Sequence, residues 1–335
     1  MRLGRDRTFS FAPFILGIHP ISPMSVNNPD LILYAQHGWA DDHKTIATLA
    51  AQLATPKTLV LTPNLGYLKT WLRIEPLIQA VEASAATMIQ DYPDVPLRVI
   101  GHSMGGLIWT EVLSRHREWW ERVESFVLVG SPIGGADLAR AVDPLGLGVG
   151  IARDLGVNRR SLAEAIAAQI PTLVIAGDID QGSDGTVVVQ CTKIFGAEFV
   201  RLSNVDHVGL KNHPAVAAAI QDFWGLTASR AVPAPLLPAH PADVVSQAVI
   251  KRLQTVPGMT DAHERDFAKA TTWLTFQHGV TLRIWTHPLG IDHVFVADPS
   301  GTCLYGGFVG WLHKADLTTV LADLQTHPDV THCVL

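Results

Sequence analysis

A serine stands between glycines at Gly101-His102-Ser103-Met104-Gly105, inside the stretch LRVIGHSMGGLIWTEVL. The residues before it, Leu97 to Ile100, are bulky and alternate little, which predicts a buried parallel strand. Leu107 to Leu113 predict a helix, with Gly105 and Gly106 where its first turn begins. A serine on so tight a strand-to-helix turn has a strained backbone. A Cβ at Gly101 or Gly105 would strike the neighbouring strand or helix. The hydroxyl then stands above the sheet, with the positive end of a helix beneath it. That placement suits a nucleophile. The plainer reading, a structural turn serine, requires none of the surrounding pattern.

A serine hydroxyl is a poor nucleophile at neutral pH and needs a base within hydrogen-bond reach, oriented by a third group. For a serine on this kind of turn, the order along the chain is serine, acid, histidine. His207, in SNVDHVGL after a strand expected at Glu198 to Leu202, is the expected base. His213, just before Pro214, reads as a surface residue where a helix begins. Three aspartates follow the strand expected at Thr172 to Ala176: Asp178, Asp180 and Asp184. Asp184 precedes Gly-Thr-Val-Val, on a loop leading to the next helix, and is the favoured acid. Asp178 and Asp180 stand as alternatives, whose plainer role is to accept loop N–H groups.

Charge developing on a carbonyl oxygen needs backbone N–H groups aimed at it. Met104, after the serine, is expected to supply one. Trp39, in His37-Gly38-Trp39 after the first strand, is expected to supply the other. The side chains of Trp39 and Met104 are expected to line an acyl pocket, with His37, Gly38 and His102 around it. His37 reads more simply as a buried histidine holding its turn than as a proton carrier.

Strands and helices alternate around these residues. LILYAQHGW is a strand running into a loop, HKTIATLAAQLA a helix, and TLVLTP a strand. A long helix is expected from Leu72 to Gln90, broken early by Pro76. LRVIGHS, SFVLVGSP, TLVIAGD and AEFVRLSNVDH end in further strands. This rhythm predicts an α/β fold with a parallel sheet and helices on both faces. Residues 134–170 interrupt the rhythm and read as a candidate cap over the strand ends, or as a long crossover. An apolar run at Leu145, Leu147, Val149 and Ile151 could face a lid or the core. Residues 227–241 are Ala/Pro-rich and read as a linker. Beyond it, a helix at Val244 to Gln254 precedes strands at Thr271–Phe276, Thr281–Thr286, His293–Ala297 and Thr302–Phe308. A helix at Ala315 to Gln325 closes the chain. Residues 242–335 thus form a small α+β domain on an antiparallel sheet, after a catalytic domain at 30–226 and an extension at 1–29.

Of 335 residues, 47% are hydrophobic and 17% charged, which allows a large core. The formal net charge is -6 and there is no basic run, so neither nucleic acid nor an anionic membrane is an expected partner. Cys191, Cys303 and Cys333 are scattered and form no CxxC, so a reducing compartment, the cytoplasm, fits best. A basic start and a short apolar stretch would fit a weak signal peptide, but Pro13 and His19 interrupt it. Met24 is an alternative first residue. No apolar run reaches the roughly 18 residues of a membrane span. His263-Glu264-Arg265-Asp266 is not HExxH, and no metal or organic cofactor is expected.

With these pieces placed, the chain resembles the α/β-hydrolase superfamily, and within it the compact bacterial lipases and esterases. The shared residues are His37-Gly38-Trp39, the GHSMGG elbow at 101–106, Ser183 to Val187, Asp206 to Leu210, and Gly130 to Gly135. Only Met24 to Asp30 precedes the first strand once the extension is set aside, so the resemblance implies the minimal sheet of about six strands. It implies a serine hydrolase acting on carboxylic esters, small or lipid. Ser103, His207 and Asp184 would form a triad, and Trp39 and Met104 an oxyanion hole. Thioester cleavage and acyl transfer are same-fold alternatives. A binding or scaffold protein on the same fold is the alternative from another class. The final domain matches nothing in that family, and homo-oligomerisation is one role open to it.

Overall fold

The computed structural model describes residues 28–135, 151–229 and 240–333. The first sheet has six strands: β1 (Leu31–Gln36), β2 (Thr58–Leu61), β3 (Leu97–His102), β4 (Val123–Val129), β5 (Thr172–Asp178) and β6 (Glu198–Ser203). They lie in the order β2-β1-β3-β4-β5-β6, every neighbouring pair parallel. This is the sheet expected from the sequence. Strands covered on both faces read as continuous apolar runs, as β1, β4 and β5 do. The edge strand β6 is largely exposed, and its apolar content is correspondingly thinner.

Successive side chains of β1 part to opposite faces. Ile32 and Tyr34 join α2 (Glu75–Asp91) and α3 (Met104–Arg115) in one core. Leu33 and Ala35 join α1 (His43–Leu53) and α7 (Pro214–Ser229) in the other. Pro76 does not break α2. It lies in the first turn of a helix that starts at Glu75, where its missing N–H would have had no intrahelical partner. The residues before it form a separate 3-10 turn, Tyr67–Trp71.

Between β4 and β5, the helices α4 (Ile151–Leu155) and α5 (Arg160–Ala167) bury Ile151, Leu155, Ala163 and Ile166 in the core of α2 and α3. Asp154 is buried and accepts from Ile74 N and Arg73 Nε, both at 2.9 Å, at the start of α2. This part of the candidate cap is therefore a packed crossover. Leu145, Leu147 and Val149 lie outside the described residues. A short helix, α6 (Val189–Thr192), precedes β6.

A second sheet follows, antiparallel throughout, in the order β12-β8-β9-β10-β11-β7. Its strands are β7 (Thr260–Asp261), β8 (Thr271–Phe276), β9 (Thr281–Thr286), β10 (Asp292–Ala297), β11 (Cys303–Phe308) and β12 (Val330–Cys333). The helices α8 (Pro241–Gln254) and α9 (Lys314–Gln325) share its core. The sequence reading lacked β7 and β12. Both are short edge strands, assigned by pairing with β11 and β8 rather than by apolar content of their own. Helix reaches into both ends of the stretch read as a linker, since α7 runs to Ser229 and Pro241 opens α8. Among the described residues, no helix is long and apolar enough to cross a membrane.

Candidate active site

Ser103 sits between β3 and α3 with φ 55° and ψ -126°. A non-glycine residue there is strained by roughly 1–3 kcal/mol, and such strain survives only where the surroundings impose it. The imposing contacts are visible at the glycines. A Cβ on Gly101 would run into the backbone of Gly106, and one on Gly105 into the carbonyl of Gln36 and, at 2.8 Å, that of His37. Gly106 has the Ser131 hydroxyl and Leu128 against it. The turn thus lets α3 approach both β3 and the end of β1.

Asp184 and His207 come together. Asp184 Oδ2 lies 2.7 Å from His207 Nδ1, and the two loops are also joined by His207 N donating to Asp184 O at 2.9 Å. The other carboxylate oxygen accepts from Thr186 N at 2.9 Å and Val187 N at 2.6 Å. A carboxylate only accepts, so Nδ1 of His207 carries the proton and Nε2 is left as an acceptor. The two alternative acids serve the loop instead. Asp178 takes Gly182 N at 2.8 Å and pairs with Arg201, while Asp180 takes Ser183 N at 2.8 Å and its hydroxyl at 2.9 Å. His213 is exposed and accepts Ala215 N at 3.2 Å in the first turn of α7.

Ser103 and His207 share the wall of a cavity of about 220 Å³ with Trp39, Ala40, His102 and Lys211, among others. Gly38 lies behind Ser103: a Cβ there would fall 2.8 Å from Ser103 Cβ and 3.1 Å from Met104 N. Met104 opens α3, so its N–H has no carbonyl four residues back in the helix to meet. Its side chain departs from the sequence reading: it is fully buried in the core of α2 and α3 and does not face the cavity. Trp39 does face it, edge-on to Trp71 with ring centres 4.4 Å apart.

The histidines flanking the site are each held by backbone hydrogen bonds. His37 is not in the cavity wall. It accepts Leu65 N at Nε2, 3.0 Å, which leaves Nδ1–H to donate to Gly38 O at 3.0 Å. Burial holds its pKa below the ordinary histidine value. His102 lines the cavity and also donates from Nε2 to His207 O at 3.1 Å. Its Nδ1 is buried without a partner. Burial, then the neighbouring His207, holds its pKa well below the ordinary range, so it stays neutral. Sequence reasoning missed the ion pair of Lys211 and Asp41, 2.9 Å, which ties the turn after His207 to the loop after Trp39. The partners are 170 residues apart, and no local signal marks them. Among the described residues, no group of three His, Cys, Asp or Glu side chains is arranged to hold a metal ion.

A parallel sheet in this order, helices on both faces and a strained serine turn after the third strand define an α/β-hydrolase fold. The sequence matches no protein-family profile and no curated protein. Several solved structures are similar to it. The lipase BlEst2 of Bacillus licheniformis is 16% identical, covers 61% of this chain and 94% of its own, and has a TM-score of 0.46. Est1E of Butyrivibrio proteoclasticus with ferulic acid bound is 13% identical, covers 62% and 93%, and has a TM-score of 0.48. The thioesterase domain of the curacin biosynthetic pathway is 20% identical, covers 59% and 92%, and has a TM-score of 0.40. These are likenesses, and the chemistry of this chain rests on its own residues.

Proposed function

We propose that this chain is a serine hydrolase that cleaves carboxylic esters through an acyl-enzyme. The observation that carries the reading is the 2.7 Å contact of Asp184 with His207 beside the cavity that holds the strained Ser103. In this mechanism Ser103 Oγ attacks the ester carbonyl and His207 Nε2 takes its proton. The N–H groups of Trp39 and Met104 receive the oxyanion. His207 then protonates the leaving alcohol, and water, activated by the same imidazole, releases the acyl group. Asp184 holds the imidazole in the required tautomer and stabilises its charged form.

The cavity is smaller than the roughly 300–1,000 Å³ of most ligand sites, which favours a short acyl group. One observation favours a larger apolar substrate. Beside Trp39, the turn at Tyr67 to Leu72 exposes Tyr67, Leu68, Trp71 and Leu72. The test is release of p-nitrophenol from esters of increasing acyl length, with Ser103→Ala beside the wild type. The expected result is serine-dependent turnover with an optimum at short chains. A rate that rises into long chains supports the lipid reading. Turnover that survives Ser103→Ala, or failure of a serine-directed phosphonate to label Ser103, removes the assignment.

A further inference from the structure

The loop that carries Asp184, between β5 and α6, is gripped from outside by the second sheet's domain. Backbone bonds close the loop on itself, with Ile179 N on Ser183 O at 2.8 Å, Val189 N on Gly182 O at 2.8 Å and Asp184 N on Val187 O at 3.1 Å, and two aspartates add side-chain bonds at its start. Asp178 accepts Asp180 N and Gly182 N at 3.2 and 2.8 Å, and Asp180 accepts from the backbone and hydroxyl of Ser183. Each of these aspartates is held in turn. Asp178 Oδ2 receives Arg201 Nε of β6 at 2.9 Å, and Arg201 reaches on to Glu264 at 2.6 Å. Asp180 Oδ1 receives His263 Nε2 at 3.1 Å. His263 Nδ1 accepts Arg265 N at 3.1 Å, so Nε2 carries the proton that this contact needs. Glu264 also accepts from Gln190 at 2.7 Å and Lys193 at 3.1 Å, just past the loop. Contact is direct: a Cβ on Gly182 would lie 2.6 Å from the His263 ring and 3.0 Å from Glu264 N. Beneath this corner, Arg160 of α5 pairs with Asp261 of β7 at 2.8 Å, both side chains buried.

We propose that the C-terminal domain is a clamp on the acid loop, with His263 and Glu264 as positioning residues that keep Asp184 against His207. Its effect on turnover rests on the hydrolase reading above; its effect on the loop does not. The clamp acts through the backbone. Asp180 fixes Ser183 and is itself held by His263, while the Asp178 carboxylate fixes Gly182 and reaches the second domain only through Arg201 and Glu264. If that anchor is lost, the Asp184 carboxylate loses its register with the imidazole, while the parts of the cavity wall outside the loop, Trp39, Ala40, His102 and Lys211, stay in place. Such a change lowers kcat and leaves KM nearly alone.

The test uses the full chain as His263→Ala and His263→Gln, with Arg252→Ala as a control on the far surface pair with Asp323. Two readouts are taken: amide hydrogen exchange of residues 179–188, and kcat and KM on a p-nitrophenyl ester. In His263→Ala, exchange across the loop is expected to speed about tenfold, a small local opening term. The kcat is expected to fall roughly 10- to 100-fold, the scale of a displaced catalytic group. Glutamine can present an N–H to Asp180, so His263→Gln is expected to recover most of the loss. In an Asp180→Ala background, His263→Ala is expected to cost little more. Should His263→Ala not fold, His263→Gln against the shorter His263→Asn gives the same comparison.

Unchanged loop exchange in His263→Ala overturns the clamp whatever the activity. So does faster exchange with unchanged kcat in an enzyme whose turnover depends on Ser103. A wild type that cleaves no ester, with exchange still faster in the variant, ends the hydrolase reading and leaves the loop clamp standing.

Discussion

Asp184→Asn changes one atom and discriminates the proposed mechanism sharply. The amide must choose which face His207 sees. Oδ1 of Asp184 accepts two backbone N–H groups, from Thr186 at 2.9 Å and Val187 at 2.6 Å, while Oδ2 meets His207 Nδ1. Asp184 and Val187 are buried, so the Val187 N–H has no water to fall back on. In Asp184→Asn the carbonyl oxygen stays on the two N–H groups and the NH₂ turns to His207. Inverting the amide would break both bonds and strand the buried Val187 donor, at about 1–3 kcal/mol. Nδ1 of His207 must then accept, its proton moves to Nε2, and the imidazole no longer takes a proton from Ser103. At about 1.36 kcal/mol per decade, kcat falls on the order of 10- to 10²-fold. The assay is p-nitrophenyl ester turnover, with near-ultraviolet circular dichroism to verify the fold. A folded variant retaining kcat within about threefold of wild type would refute the reasoning.

Three further outcomes follow from the geometry. Gly38→Ala puts a methyl 2.8 Å from Ser103 Cβ and 3.1 Å from Met104 N, and it is expected to lower kcat on the order of 10²-fold by crowding the oxyanion position; undiminished turnover would remove Met104 N from that role. His37 and His102 have depressed pKa values in the folded state. Below the unfolded value of 6.5 the unfolded chain binds protons that the folded chain does not, so their contribution is complete above pH 6.5 and drains away as pH falls. The loss grows as pH falls below 6.5, and is larger for His102, held well below its ordinary value, than for His37. Thermal melts of His102→Gln, whose amide can still donate to His207 O, are expected to fall less steeply between pH 7.5 and 5.5 than those of wild type, and parallel slopes would contradict this. Asp261→Ala strands the buried Arg160, where burial alone already pushes the Asp261 carboxyl up and only its partner opposes it. The expected loss is about 3–5 kcal/mol in urea unfolding, largely recovered by the apolar pair Arg160→Met with Asp261→Leu, and a loss below about 1 kcal/mol would show that the pair is solvated.

Much of this site is local in origin and was legible for that reason. The serine turn declares itself within ten residues, because a buried strand, two close-approach glycines and a helix start must be consecutive in the chain. The strands of the first sheet announce themselves as apolar runs, because each is covered on both faces. The same logic fails where pairing partners rather than composition decide, as at β7 and β12. It also fails at Pro76, where one residue fits both the middle and the first turn of an expected helix, and only the packed position of Asp154 at Ile74 places the start.

From its residues alone, the chain determined that a tight serine turn would follow a parallel strand, with aspartates and a histidine after it in that order. Of three aspartates on one loop the sequence favoured Asp184, and the tertiary structure gives each a different partner. Asp178 is drawn to Arg201, Asp180 to Ser183 and His263, and Asp184 to His207, because each carboxylate takes the donor that folding brings nearest. The same holds for Lys211 with Asp41 and for His263 with the acid loop. Such contacts join segments tens to hundreds of residues apart. Their formation depends on how the sheets and helices close on one another, and no stretch of sequence carries that by itself.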